Sequence, residues 1–506
     1  MKVLCVFLLC FAMAYGQTLA GPKHDKKVVC YVATWAVYRP DPGKFSLEDL
    51  EPALCTHLVY SFAGLNETTN TIKSLDPWQD LETDYGKAGY KRLVALKEKY
   101  PHLKVTLAIG GWNEGSPKYS NMAAKPETRA AFIKSVLLML NNYKFDGLDL
   151  DWEYPTKREG KPADRENFVQ LVKELSEAFE PYGYILTAAL GAGKTTMDTA
   201  YDLAKLSRYL DLIHMMCYDY HGTWDLVVGA NAPLRGTNKD DFLSLEYTIE
   251  YMLSHGVSPY KLVLGLAMYG RTFILQDPDT RVLEFGSTPV KPAGFKGPYT
   301  GEAGFMGYNE ICMLTNNKSS PWVYHWHEQS ATPYLRDGEK VIAYDNGRSI
   351  AIKVKMAIDK GLGGLMVWSI DTDDFRGNCN ETDSYIDFIE RYQTMVDDPL
   401  MKKAAQNLNL LDVTQVPLKG GPAYVLKDNR LHLRLPQPKY ANYALMQAVN
   451  DAITLSIEEK RLRDEMVKIS RDNEINIDDK DDKGSGSNVR VSVFCIFVCV
   501  FFMFRL

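Results

Sequence analysis

Short apolar runs rich in valine, isoleucine and leucine alternate along the chain with longer amphipathic stretches. This alternation is typical of an α/β protein in which helices cover a parallel sheet. Eight repeats of strand and helix predict a closed (β/α)8 barrel, the TIM barrel, although periodicity alone leaves an open doubly wound sheet as the alternative. The runs lie at residues 28–33, 57–62, 104–109, 147–151, 185–189, 212–216, 262–268 and 364–368.

Chemically unusual residues recur at the ends of these runs or directly after them. In a (β/α)8 barrel the functional residues lie at the carboxyl ends of the strands. One aromatic residue at a strand end would indicate only core packing, whereas so many at one rim predict a lined groove. The residues concerned are Trp35, Phe62, Gly111, Trp112, Asn113, Met216, Tyr218, Asp219, Tyr269, Arg271 and Trp368.

The fourth run lies within the segment 145–155, Phe-Asp-Gly-Leu-Asp-Leu-Asp-Trp-Glu-Tyr-Pro, which carries four carboxylates. Successive side chains of a strand point to opposite faces, so Asp149, Asp151 and Glu153 share one face. Carboxylates this close cannot all ionise at neutral pH, so one of them should hold a proton. A protonated acid beside a carboxylate is what cleavage of a glycosidic bond requires. An exposed acidic strand or a divalent metal site would use the same residue types.

The spacing of Asp146, Asp149, Asp151 and Glu153 reproduces the Asp-x-x-Asp-x-Asp-x-Glu signature of family 18 glycoside hydrolases. The flanking Phe-Asp-Gly and Trp-Glu-Tyr-Pro resemble animal chitinases. The resemblance covers about residues 28–392 and implies a TIM barrel with a small α+β insertion, at about 272–344, between strands seven and eight. Departures at Pro77, Glu114 and Cys217 leave the signature intact.

The resemblance implies an endo-acting chitinase whose substrate supplies its own nucleophile, the N-acetyl carbonyl, with retention of configuration. Glu153 would be the general acid, Asp151 would orient the acetamido group, and Asp149 would share a proton with Asp151. Tyr218 and Asp219 would contact the acetamido carbonyl and the catalytic centre. For Asp146 we expect a structural role at the turn into the strand. No metal or cofactor is expected, and chitin and chitooligosaccharides are the expected partners.

Sugar C–H faces stack on aromatic rings, and the same rim residues are therefore candidates for substrate binding. Taken singly, each aromatic residue could equally belong to the core, and Trp112 and Trp368 are best supported because they lie in Gly-Gly-Trp and Met-Val-Trp-Ser-Ile-Asp. Trp35 and Trp224 are further candidates for the groove walls. The predicted binding residues are Tyr31, Phe62, Trp78, Gly111, Trp112, Asn113, Tyr154, Met216, Tyr269, Arg271 and Trp368.

Two rival functions use the same fold. A chitinase-like lectin binds sugar without cutting it and typically lacks the acid, whereas Glu153 is present here. An enzyme that cleaves the chitobiose core of N-glycans is the second rival. The match of residues 104–112 and 262–273 with animal chitinases disfavours it.

Both ends of the chain carry apolar segments. Residues 1–16 have the basic start and short apolar run of a secretory signal peptide. The apolar run 491–504 follows small residues at 484–488, so 484–506 predicts either a GPI-attachment signal or a short tail anchor. Both readings place the protein on the outer face of the cell membrane. The formal net charge of -6 argues against nucleic acid as a partner, and we expect a monomer.

Secretion permits disulfides, and the nine cysteines include five between the two apolar ends. The resemblance implies the pairs Cys30 with Cys55 and Cys312 with Cys379, which would leave Cys217 free. Glycosylation acceptors occur at Asn66, Asn317 and Asn380.

The resemblance fades after the predicted catalytic domain, 28–396. Residues 397–483 are expected to form a helical and disordered stalk, because Leu445, Val449, Ala452 and Leu455 have near-helical spacing and a charged stretch follows. No cysteine lies between 379 and 495, which excludes a disulfide-rich chitin-binding module in this segment.

Overall fold

The computed structural model describes residues 19–238, 240–316, 319–379, 399–408, 423–427, 430–434 and 442–481. The predicted signal peptide and the predicted attachment segment lie outside these residues, as do Asn317 and Asn380. Within the described part of the chain, no helix combines the length and apolar character needed to cross a membrane.

Strands and helices are numbered here in chain order. The strands are β1 (Lys27–Ala33), β2 (His57–Asn66), β3 (Thr71–Ser74), β4 (Lys104–Gly110), β5 (Gly147–Asp151), β6 (Ile185–Gly191), β7 (Leu212–Met216), β8 (Leu262–Ala267), β9 (Tyr269–Ile274), β10 (Phe305–Gly307), β11 (Val323–His327), β12 (Thr332–Asp337), β13 (Lys340–Ala343), β14 (Gly364–Trp368), β15 (Ala423–Lys427) and β16 (Arg430–Arg434). The α-helices are α1 (Pro77–Asp80), α2 (Gly89–Lys99), α3 (Pro117–Ala123), α4 (Pro126–Tyr143), α5 (Asp164–Phe179), α6 (Lys194–Ala200), α7 (Leu203–Tyr209), α8 (Leu245–Ser254), α9 (Tyr308–Thr315), α10 (Gly347–Asp359), α11 (Pro399–Asn407) and α12 (Ala444–Asp481).

Eight parallel strands form a closed barrel. Each of β1, β2, β4, β5, β6, β7, β8 and β14 pairs with the next, and β14 pairs with β1 to close the ring. This closure confirms the predicted TIM barrel over the open sheet. All eight predicted apolar runs coincide with these strands, and β3 adds an antiparallel partner to β2.

The barrel strands are buried on both sides, which explains their nearly continuous apolar sequences. Leu148 and Leu150 of β5 face outward into the layer between the sheet and the helices. Val59, Ala108 and Val263 belong to the smaller core inside the barrel. The polar residues of the strands therefore stand out on the inner side.

The predicted insertion between strands seven and eight contains a five-stranded antiparallel sheet in the order β10-β9-β13-β12-β11, together with α9. This sheet and helix agree with the expected α+β unit at about 272–344. Its first strand begins slightly earlier, at Tyr269, directly after the seventh barrel strand.

Helix α12 begins as predicted from the spacing of its apolar residues. The prediction of a stalk did not include packing on the barrel, whereas Leu445, Val449, Ala452 and Leu455 are all buried and the helix packs against α10. The sequence spacing could not distinguish packing on the barrel from a free amphipathic helix.

Two further contacts fix the start of α12 on the barrel. The Asp373 carboxylate, just after β14, accepts hydrogen bonds from the backbone amides of Leu445 (3.1 Å) and Met446 (2.8 Å). The Asn450 side chain donates to the carbonyl of Leu54, between β1 and β2 (3.1 Å). Helix α12 therefore covers the seam between β14 and β1, which is the place of the eighth barrel helix, and the barrel extends beyond the predicted boundary at 396.

The structure contains disulfide bonds between Cys30 and Cys55 and between Cys312 and Cys379. These are the two pairs that the resemblance implied. Cys217 is a buried free thiol, and burial raises its pKa to about 12.

Candidate active site

A cleft of about 990 Å³ opens at the carboxyl ends of the barrel strands and is bounded on one side by the insertion. Its lining brings together almost all residues predicted for the site. These are Tyr31, Phe62, Gly111, Trp112, Asn113, Asp151, Glu153, Tyr154, Met216, Tyr218, Asp219, Tyr269, Arg271 and Trp368. Two predicted residues, Asp149 and Trp78, are not part of the lining.

The acidic signature alternates as the strand pattern predicted. Trp152 points away from the cleft axis into the helix layer, where its indole Nε1 donates to Ser116 Oγ (2.7 Å). Asp146 accepts a hydrogen bond from the Val105 amide (2.7 Å) and an ion pair from Lys97 (3.0 Å), both outside the cleft. These contacts agree with the structural role expected for Asp146.

Asp149 lies fully buried beneath the cleft floor. Its carboxylate accepts hydrogen bonds from Thr187 Oγ1 (2.5 Å) and Tyr31 OH (2.6 Å), and His214 Nδ1 lies 3.1 Å away. Burial by itself would raise the pKa of Asp149, but His214 and the hydroxyl donors outweigh it and hold the pKa below its usual value. Asp149 is therefore the charged member of the acidic set.

Asp151 lies above Asp149 and is also buried. Burial, followed by the negative charges of Glu153 and Asp149, raises the pKa of Asp151 well above its usual value. Its Oδ1 atom is buried and has no hydrogen-bond partner among the described residues. A buried polar atom without a partner is costly, so this oxygen is ready for a donor from a bound molecule.

Glu153 follows the strand and reaches the cleft. Burial raises the pKa of Glu153 to about 7, and the charge of Asp219 adds to this, while Tyr154 and Arg158 oppose it. A carboxylic acid with this pKa carries a proton over the acidic and neutral range and can donate it to a substrate oxygen.

The cleft wall beside the acidic residues is held in place by hydrogen bonds to Asp219. Tyr269 OH and Arg271 Nε donate to Asp219 Oδ1 (2.6 and 2.9 Å), and Asn231 accepts from the Asp219 amide (3.0 Å). Burial raises the pKa of Tyr218 well above its usual value, and the neighbouring acids act in the same direction. The Tyr218 phenol is therefore a neutral donor at the cleft.

An aromatic floor lies at the centre of the cleft. The Trp368 ring has its centroid 5.5 Å from Tyr31, 5.7 Å from Phe62 and 6.1 Å from Trp35. Gly111 has φ of 84°, and a side chain there would place its Cβ 2.9 Å from the Phe62 ring. Glycine at this position therefore permits the close packing of the floor.

Trp112 is 58% exposed at the mouth of the cleft, and the Arg158 guanidinium lies 3.7 Å from its ring centroid. Trp78 is 47% exposed and stacks on Tyr38 at 6.4 Å, beyond the lining residue Asp76. The prediction of Trp78 as a cleft residue is therefore not supported by its position.

Several residues of the site were missed in the sequence. Thr187 on β6 and His214 on β7 support Asp149, and Asn231 and Arg158 support Asp219 and Trp112. The metal-site alternative finds no support, since no group of His, Cys, Asp and Glu side chains among the described residues is arranged to hold a metal ion.

Comparison with known proteins matches the barrel and its insertion. The model of the family described as glycosyl hydrolases family 18 matches residues 27–373. Probable chitinase 2 of Drosophila melanogaster is 53% identical over 399 residues, which cover 77% of this chain and 80% of that protein. An endochitinase of Manduca sexta is 37% identical over 378 residues, covering 73% and 67%.

Among solved structures, the Ostrinia furnacalis Group IV chitinase in complex with allosamidin is 42% identical and superimposes with a TM-score of 0.67. The match covers 73% of this chain and 99% of that one. The family match ends at Asp373, the residue whose carboxylate receives the first amides of α12.

Proposed function

The chain belongs to family 18 of the glycosyl hydrolases and is a glycosidase of the chitinase type, and we propose that it cleaves within chitin chains with retention of configuration. One observation carries the proposal: a protonatable Glu153 lies beside an Asp151 oxygen that has no hydrogen-bond partner in the described part of the chain, in a cleft with an aromatic floor. An N-acetylated sugar supplies the missing donor through its amide N–H.

The proposed mechanism begins with proton transfer from Glu153 to the glycosidic oxygen. As that bond breaks, the acetamido carbonyl oxygen of the same sugar attacks the anomeric carbon and forms an oxazolinium ion. Asp151 accepts the acetamido N–H and Tyr218 donates to its carbonyl, which aligns the nucleophile. The charge of Asp149 stabilises the cation from below. Water, deprotonated by Glu153, then attacks the anomeric carbon and opens the oxazolinium ring, which restores the acetamido group.

The first prediction separates this activity from the two rivals. The full-length protein is expected to cleave a chitin tetramer and to leave the chitobiose core of an N-glycopeptide intact, because the relatives that match most of the chain are chitinases. Product analysis by mass spectrometry is the measurement. Cleavage of the glycopeptide alone would favour the glycan-processing enzyme, and tight binding of the tetramer without products would favour the lectin.

Secretion accords with the disulfide bonds, and we infer attachment to the outer face of the cell membrane through 484–506, as a lipid anchor or a short tail anchor. The second prediction is that the protein stays on the surface of expressing animal cells, where release by phosphatidylinositol-specific phospholipase C would support the lipid anchor. Retention after this treatment would support the tail anchor instead. A chain ending at Asp482 is expected in the medium with equal activity per molecule, and full-length chain in the medium without treatment would contradict both forms of attachment.

A further inference from the structure

Helix α12 runs alongside α10 in the same direction. Lys355 pairs with Glu459 at 2.8 Å, and one turn later Asp359 pairs with Arg463. The two pairs have the same offset along the chain, so the helices stay parallel over this stretch. The direction of α10 therefore gives the direction of α12.

The end of α10 lies at the amino ends of the barrel strands. Asp359 is separated only by a short turn from Gly364, the first residue of β14, and Gly364 pairs with Lys27 at the start of β1. The cleft lies at the carboxyl ends of the same strands. Helix α12 thus begins near the cleft end, where Asp373 binds its first backbone amides. It passes the opposite end of the barrel at Arg463.

Beyond Arg463 the helix continues to Asp481. At 1.5 Å per residue this part is roughly 27 Å long. The small residues 484–488 follow within a few positions of the end of the helix, and an extended chain advances at most about 3.5 Å per residue. The attachment point is therefore close to the far end of α12, well beyond the amino ends of the strands.

We propose that α12 is both the closing helix of the barrel and a spacer that holds the amino-end face toward the membrane and the cleft away from it. This orientation rests on the proposed attachment through 484–506. The continuous helix fixes the barrel relative to the distal end of α12, so the amino-end face lies nearer to the attachment segment than the cleft does.

The orientation can be measured without enzymatic activity by energy transfer to a lipid dye in the plasma membrane of cells that express the full-length chain. Two exposed positions lie on neighbouring units of the barrel at opposite ends: Lys104 at the amino end of β4, and Ala163 at the cleft end, just before α5. The variants Lys104→Cys and Ala163→Cys are labelled with an impermeant maleimide fluorophore. Wild type, whose Cys217 is buried, gives the background.

Transfer from Lys104→Cys is expected to exceed that from Ala163→Cys severalfold. Replacing residues 472–481 by a flexible Gly/Ser segment of equal length is expected to remove most of this difference, because the helix sets the orientation. Equal or reversed transfer on cell-attached protein would overturn the orientation and leave the attachment standing. Labelled full-length protein found only in the medium would overturn the attachment and, with it, the orientation.

Discussion

Glu153→Gln is expected to lose roughly 10² to 10⁴ in kcat on a chitin oligomer while it still binds the oligomer with nearly the wild-type Kd. The loss is the scale for removing one positioned acid catalyst. Glutamine has almost the same shape but carries no transferable proton, and the substitution replaces no other residue of the cleft lining. Initial rates and calorimetric titration of the same preparation measure the two effects.

A matched control is Glu177→Gln, on the outer helix α5, which makes the same chemical change at an exposed ion pair with Lys173. Its rate is expected to equal that of wild type. A Glu153→Gln rate within a few-fold of wild type would show that another group donates the proton.

The pH dependence provides a second readout of the same assignment. Burial raises the pKa of Glu153 to about 7, and only the protonated form can donate. Wild-type kcat/KM is therefore expected to fall as the pH rises through about 7, and the residual activity of Glu153→Gln is expected to lack this limb. If the fall of kcat/KM near pH 7 persists in Glu153→Gln, a different group is responsible for it.

The barrel could be predicted because its physical causes are local. Strands buried on both sides need continuous apolar runs, and the polar residues at their ends have few structural reasons to be there. Accordingly, all eight predicted apolar runs coincide with barrel strands between Lys27 and Trp368. The charge states of Asp149 and Asp151 could not be predicted, because they depend on partners from other strands.

Those partners did leave a signal. Asp149, Thr187 and His214 are each the third residue of their strand, and Asp149 and Thr187 are direct neighbours in the barrel register. Their side chains meet inside the barrel, where Thr187 Oγ1 and His214 Nδ1 both contact the Asp149 carboxylate. Reading the predicted runs side by side would therefore have identified the support for Asp149.

The place of α12 was beyond sequence reasoning for a different reason. Residues 369–443 separate it from β14, and amphipathic spacing indicates an apolar face without indicating what covers that face. The aromatic residues posed the same problem, since Trp368 lines the cleft while Trp78 stacks on Tyr38 outside it. Both cases turn on long-range contacts that a single sequence does not encode locally.

The acetamido group of the substrate is expected to be indispensable. Fully deacetylated glucosamine oligomers should be cleaved at least about a hundredfold more slowly than acetylated ones, since an aligned internal nucleophile has an effective molarity on the order of 10⁵ M or more. The open Oδ1 of Asp151 makes a sharper form of this test possible. Asp151→Ala should slow the acetylated substrate strongly and leave the slow deacetylated reaction nearly unchanged.

The rates of wild type and of Asp151→Ala on the acetylated and the deacetylated oligomers form a thermodynamic cycle. The coupling energy of this cycle reports the contact between Asp151 and the acetamido group. Asp146→Asn serves as the control carboxylate, because Asp146 bonds Val105 and Lys97 away from the cleft and should show no coupling, whatever it costs in stability. Equal loss on both substrates in Asp151→Ala would mean that Asp151 acts without contacting the acetamido group. Equal wild-type rates on both substrates would point to a nucleophile supplied by the protein.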